Sequence, residues 1–150
     1  MTAEEMWGIF AKENNIENEE YEAWAYGDDP DTLAELTVKG IKTATCSAYY
    51  GYENEGEELP KEGEYSVILN SKDEAVCVTK NVRVYIERFK DISREHAYKE
   101  GEGDRSLEYW RKVHIDFFTK ELGEAGVEFN EDMKVVCEEF TVVFKGDIWK

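Results

Sequence analysis

The chain has 150 residues, 41% of them hydrophobic, and carries 18 Lys and Arg against 35 Asp and Glu, a formal charge of −17. That length suits one domain with a real core, expected over residues 1–150, and that charge repels polyphosphate chains, so long duplex nucleic acid is not expected as a partner. No apolar run approaches the ~20 residues that span a bilayer and no basic, apolar leader opens the chain, so no membrane and a cytoplasmic address are expected.

Thr2, with Glu5 three residues on, predicts a capped first helix from about Met6 to Asn14, with Met6, Trp7, Ile9 and Phe10 as its apolar stripe. Glu17 to Glu22 reads as an acidic link that closes an N-terminal segment at residue 22. Trp24 and Tyr26 precede a turn, and Pro30 suits the first turn of a helix that runs to Lys39. Gly40 can adopt the left-handed conformation that ends this helix. Gly40-Ile41-Lys42-Thr43-Ala44-Thr45-Cys46-Ser47 then turns extended, with one cation and three hydroxyls. Along a strand Lys42 and Thr45 point to opposite faces, so a turn or bulge after Gly40 is required to bring them to one site. Lysine beside threonine suggests anion binding, or a base next to a nucleophile.

Tyr49, Tyr50 and Tyr52 lead into an acidic, glycine-rich loop over residues 53–64. Tyr49 and Tyr50 are the favoured candidates to stack on a base. Tyr65 to Leu69 reads as a strand, Asn70 to Asp73 as a hairpin turn, and Ala75 to Phe89 as a long extended run bent near Asn81. Arg83 is a candidate cleft residue, although a solvated arginine is its ordinary fate. Ile92 to Tyr98 forms a short helix, followed by the acidic loop Glu100-Gly101-Glu102-Gly103-Asp104. Ser106 caps the next helix, Leu107 to Leu122, whose stripe holds Trp110, His114, Phe117 and Phe118, placing His114 on the inner face. Met133 to Phe144 alternates apolar residues on both faces and should be a central strand. Val67, Leu69, Val84, Val136 and Phe140 are the expected core, with 145–150 a tail.

Cys46, Cys77 and Cys137 lie far apart in extended runs and read as free packed thiols. With only two histidines, His96 and His114, and no paired ligand motif, neither a metal nor a cofactor is expected, and the loop acids are read as solvated.

Trp24-Ala25-Tyr26-Gly27, the Gly40-x-Lys42-x-x-Thr45 segment, and Glu100-Gly101-Glu102-Gly103-Asp104 with Ser106-Leu107-Glu108 and Trp110 together resemble the ASCH (activating signal cointegrator homology) family, in particular its stand-alone bacterial branch. The resemblance runs from about Trp24 to Phe144. It implies an α+β fold similar to the PUA RNA-binding domain: a small mixed β-barrel with surrounding helices and a cleft between them. One branch of that family removes the acetyl group from acetylated cytidine with a lysine, a threonine and a glutamate. The first two fall on Lys42 and Thr45, and the glutamate, a few residues after a His-Ala pair, falls on Glu100, with Glu102 competing. The extra first helix and the insertions depart from that branch. The stand-alone branch implies instead nucleotide or RNA binding and RNA cleavage. Cleavage chemistry leaves Lys42 open to face the developing charge and Glu100 or Glu102 to act as base, and Ser47, Tyr49, Tyr50, Arg83 and Ser106 are the candidates for ligand contact. The partner under these readings is a nucleotide, a nucleoside or a short single-stranded RNA. A non-catalytic ligand-binding domain is the third reading, and the −17 charge favours a small ligand.

Overall fold

The computed structural model describes Met1–Lys150. Thr2 caps α1 (Ala3–Glu13) by accepting from the Glu5 backbone N–H at 3.1 Å, and its hydroxyl donates to the Glu5 carboxylate. Met6 and Phe10 turn inward, and Trp7 stacks on Tyr21 with ring centroids 4.7 Å apart. Tyr21 opens β1 (Tyr21–Ala25), so the acidic link is shorter than expected. Its glutamate-rich composition disfavours a strand; pairing with β3 (Tyr65–Leu69), parallel and with Tyr21 opposite Tyr65, provides one.

The helix α2 (Pro30–Val38) starts on its proline and delivers the chain to β2 (Ala44–Ala48), which begins later than the extended pattern from Gly40 suggests. The tyrosines that follow form a short helix, α3 (Tyr49–Glu55), in place of loop. Gly56, at φ +66°, ends it. The long run is one strand, β4 (Ala75–Arg88), whose register shifts between Asn81 and Arg83, at the expected bend. Ser93 caps α4 (Arg94–Glu100) and Ser106 caps α5 (Leu107–Glu124). Glu100 is thus the last helical residue, not part of the acidic loop.

With β5 (Lys134–Lys145), five strands form one mixed sheet in the order β1-β3-β4-β5-β2, parallel only between β1 and β3. The sheet curls into a half-barrel with the helices around it, an α+β architecture, and β5 is central as expected. Val67, Val136 and Phe140 are buried, and Leu69 packs at the edge of the cluster formed by Met6, Phe10, Val67 and Val78. Val84 is only half-buried. Beyond the bulge β4 has lost β3 and pairs with β5 alone, which also leaves Val82 and Ile86 exposed. Trp149, in a short 3-10 turn, docks against the cluster of Tyr26, Ala34 and Val38, so the tail is anchored. No helix is long and apolar enough to cross a membrane.

Candidate functional site

The end of α2 determines where Lys42 goes. Gly40 takes φ +77°, and the backbone N–H groups of Ile41 and Lys42 both return to Leu36 O at 3.0 Å. This irregular turn, rather than a strand, aims Lys42 inward. Its Nζ donates to Glu100 Oε1 at 3.0 Å and to Glu102 Oε2 at 3.1 Å, and lies 5.2 Å over the ring of Tyr26. Both competing glutamates therefore meet the lysine. Thr43 N–H donates to Lys99 O, tying the start of β2 to α4. Gly101, at φ +73°, passes so close to Ile41 that a Cβ there would lie 2.6 Å from its carbonyl oxygen.

Glu100 gathers the remaining polar groups of this layer. Its Oε2 accepts from His96 Nε2 at 2.6 Å and from Trp110 Nε1 at 2.7 Å, while His114 Nε2 stands 3.5 Å from Oε1. Tyr85 OH meets the other nitrogen of His96 at 3.0 Å, and His114 Nδ1 donates to Trp110 O at 2.8 Å. Lys42 and Glu100 are each 1% exposed. Burial alone would drive Lys42 towards neutrality, but Glu100 and Glu102 outweigh it and hold the ammonium above its ordinary pKa. Burial likewise opposes the Glu100 carboxylate, and Lys42 and His114 hold it well below the usual range. His114 is raised in turn: desolvation opposes its charge and Glu100 overcomes it. A lysine kept cationic between two carboxylates is not a base at neutral pH.

Cys46, Glu100 and His114 place ligand-type atoms within 4.8 Å of one another. The trio fits a metal poorly, because the Lys42 ammonium already sits on Glu100 and any ion would face it at close range. The Cys46 thiol is pushed well above its ordinary pKa by burial and by Glu100, so it stays protonated and weakly nucleophilic.

A large concavity lies beside this layer, between the two unpaired edges of the half-barrel, β1 and β2. It encloses about 1100 Å³ and extends to α3, the loop through Pro60 and the inner face of α5. Tyr21, Trp24, Tyr26, Tyr50, Tyr52, Tyr65 and Phe117 supply aromatic surface; Thr45 and Ser47 supply hydroxyls. Ser47 Oγ and Tyr52 OH share a hydrogen bond of 2.9 Å. Eight glutamates line the cleft, and no lysine, arginine or histidine does. Tyr26 joins cleft and buried layer, since it lines the first and carries Lys42 over its ring.

The expected site residues therefore divide. Lys42, Glu100 and Glu102 form one buried cluster. Thr45, Ser47 and Tyr50 line the cleft, and Thr45 makes no hydrogen bond to that cluster; Cys46, the next residue along β2, turns towards Glu100 instead. Tyr49 lines a separate depression of about 300 Å³ with Lys134 over its ring. Arg83 lies outside the cleft, exposed and bonded to Glu139 at 3.2 Å, because the bulge beside Asn81 turns it outward. Ser106 is spent on its cap, accepting from Tyr109 N–H, and does not line the cleft. Sequence reasoning missed Glu138, which faces Thr45 across the β2/β5 ladder and lines the cleft. Its signal was a glutamate in step with Val136, Phe140, Val142 and Phe144 on an otherwise apolar face of the strand.

The half-barrel, the helices around it and the buried lysine-glutamate layer together define a PUA-like ASCH architecture. The ASCH domain family model matches residues 22–144, and the chain belongs to that family. It is similar to an ASCH domain from Lactobacillus crispatus JV V101, at 31% identity over 94% of this chain and 93% of that one, TM-score 0.89. It is also similar to a protein from Enterococcus faecalis V583, at 32% identity over 95% and 88% of the two chains, TM-score 0.85. The ASCH protein of Zymomonas mobilis shares the fold at 9% identity, TM-score 0.50, over 86% of this chain and 73% of that one. No curated protein matches the chain.

Proposed function

We propose that this ASCH domain binds a nucleoside, or one base of a short single strand, in the cleft between β1 and β2, and that it prefers an unphosphorylated ligand. One observation carries the reading: the cleft has the volume of a small-molecule site, offers seven aromatic rings and the hydroxyls of Thr45 and Ser47, and contains glutamates but no cation. Aromatic faces accept a flat base. Eight carboxylate side chains without a lysine or arginine repel a phosphate. RNA cleavage, which requires positive charge near the developing phosphorane, finds little support in such a lining.

Calorimetric titration with cytidine, acetylated cytidine, cytidine monophosphate and a short RNA, each at two salt concentrations, tests the proposal. The nucleosides should bind, the monophosphate should bind more weakly, and its handicap should shrink as salt screens the repulsion. Tighter binding of monophosphate or RNA, weakening with salt, would count against it.

A second reading, an amidase acting on the acetylated nucleoside, is favoured by the pairing of Thr45 with Glu138 across adjacent strands in the same cleft. There the Glu138 carboxylate takes the Thr45 proton as the alkoxide attacks the amide carbonyl, the amine leaves with that proton, and water then hydrolyses the ester. Thr45→Val should then lower turnover of acetylated cytidine by about 100-fold or more. No turnover by the unaltered protein would remove this reading and leave the binding proposal intact.

A further inference from the structure

The cleft of the preceding section contains a carboxylate with almost no compensation. Glu138 sits half-buried at the centre of β5, opposite Thr45. Asn81 Nδ2 donates to its Oε1 at 3.0 Å, and no other side chain or backbone N–H bonds to it. The charged and titratable groups facing it are Glu22 on β1, Glu64 just before β3 and the Tyr52 hydroxyl on α3. None of these is a cation. Burial, with Glu64 and Glu22 reinforcing it, pushes the Glu138 carboxyl above its ordinary value despite the Asn81 bond. Elsewhere in the chain buried acids are neutralised: Glu100 has Lys42 and His114. Glu138 has an open, aromatic-walled space in place of a partner.

A half-buried carboxylate without a cationic partner is costly, and a positive charge that enters beside it recovers part of that cost. Aromatic faces add to the attraction, because their quadrupoles draw cations, most strongly where water is excluded. Trp24 and Tyr26 meet edge to face at 5.0 Å and bound the cleft beside Phe117. We propose that the cleft selects a flat heterocycle bearing a positive charge, a nucleoside whose base is made cationic at neutral pH by N-alkylation, and that Glu138 is the residue that selects it. This rests on the reading of the cleft as a nucleoside site and specifies its ligand class. The carboxylate supplies the counter-charge, Asn81 holds it in place, and the rings supply the stacking surface. A phosphate-bearing ligand brings the wrong sign, and an aliphatic cation lacks the flat face.

The test is a pairwise comparison of cytidine with 3-methylcytidine, whose ring is cationic at neutral pH, by fluorescence titration of the whole chain, with tetramethylammonium as a cation without a heterocycle. The methylated nucleoside should bind about tenfold tighter or more, tetramethylammonium should bind much more weakly than it, and Glu138→Gln should bring the ratio of the two nucleoside constants towards one. Should Glu138→Gln fail to fold, Glu64→Gln should lower the same ratio to a smaller extent. Equal constants for the two nucleosides would overturn the inference and leave the nucleoside reading standing. A preference that survives in Glu138→Gln would overturn the assignment to that residue. No binding of either nucleoside would overturn both.

Discussion

Lys42 and Glu100 are bound into each other's protonation states, and the consequences can be measured. Removing one partner of a buried ion pair strands the other, which costs about 3–5 kcal/mol. Lys42→Met should therefore lower urea stability by about that much, and the double variant Lys42→Met/Glu100→Gln should recover part of the loss; equal stability of single variant and parent would contradict the pairing. pH dependence follows from the two directions of shift. Glu100 is depressed, so its contribution is complete above the ordinary carboxylate range and is lost only as pH falls through its lower folded value. His114 is raised, so its contribution is complete below about 6.5, its unfolded value, and is lost as pH rises through its folded value. Urea unfolding should show a more stable protein at pH 6 than at pH 8, below the range where the raised thiols Cys46, Cys77 and Cys137 ionise in the unfolded chain, and His114→Gln should remove most of that slope. Glu100 was legible through the family resemblance, which expects a glutamate a few residues after His96-Ala97, but its bonds to Trp110 and His114 depend on how α5 packs, which no local spacing encodes.

Between elements, the tightest joint is where α4 ends against the turn before β2. Gly101 passes Ile41 there, Arg105 donates to Ile41 O at 3.2 Å, and Thr43 bonds Lys99 O. Gly101→Ala must accept both a left-handed backbone and a collision with main chain, whereas Gly56→Ala, at φ +66° with open space around it, meets only the first. We expect a loss of about 1 kcal/mol for Gly56→Ala and clearly more for Gly101→Ala, read from urea denaturation; equal losses would show that the joint yields. The sequence pattern foretold elements whose apolar period is long, namely α1, α5, β4 and β5. It passed over β1 and α3. Tyr21 to Ala25 becomes a strand through its partner β3 and the stacking of Trp7 on Tyr21, and Tyr49 to Glu55 becomes a helix across Gly51. Both are set by neighbours distant in sequence.

At the scale of the whole molecule, −17 charges and a cation-free cleft point the same way. The α+β class and the ASCH resemblance were readable from the chain, since glycine placement and strand alternation survive in one dimension, and the mixed barrel followed from that resemblance. The split between a buried Lys42 cluster and an open Thr45 cleft was not, because it arises from the turn after Gly40 and the gap between β1 and β2. That split changes what Lys42 should do: its replacement acts on stability, and ligand recognition belongs to the cleft wall. The most direct measurement uses the four indole N–H signals of the chain, from Trp7, Trp24, Trp110 and Trp149, followed by nuclear magnetic resonance during a titration with cytidine. The account predicts a progressive, saturable shift that is largest for the Trp24 signal and smaller for Trp7 and Trp149, since of the four only Trp24 lines the cleft. Saturable binding that leaves Trp24 in place, or that moves Trp7 or Trp149 instead, would contradict it.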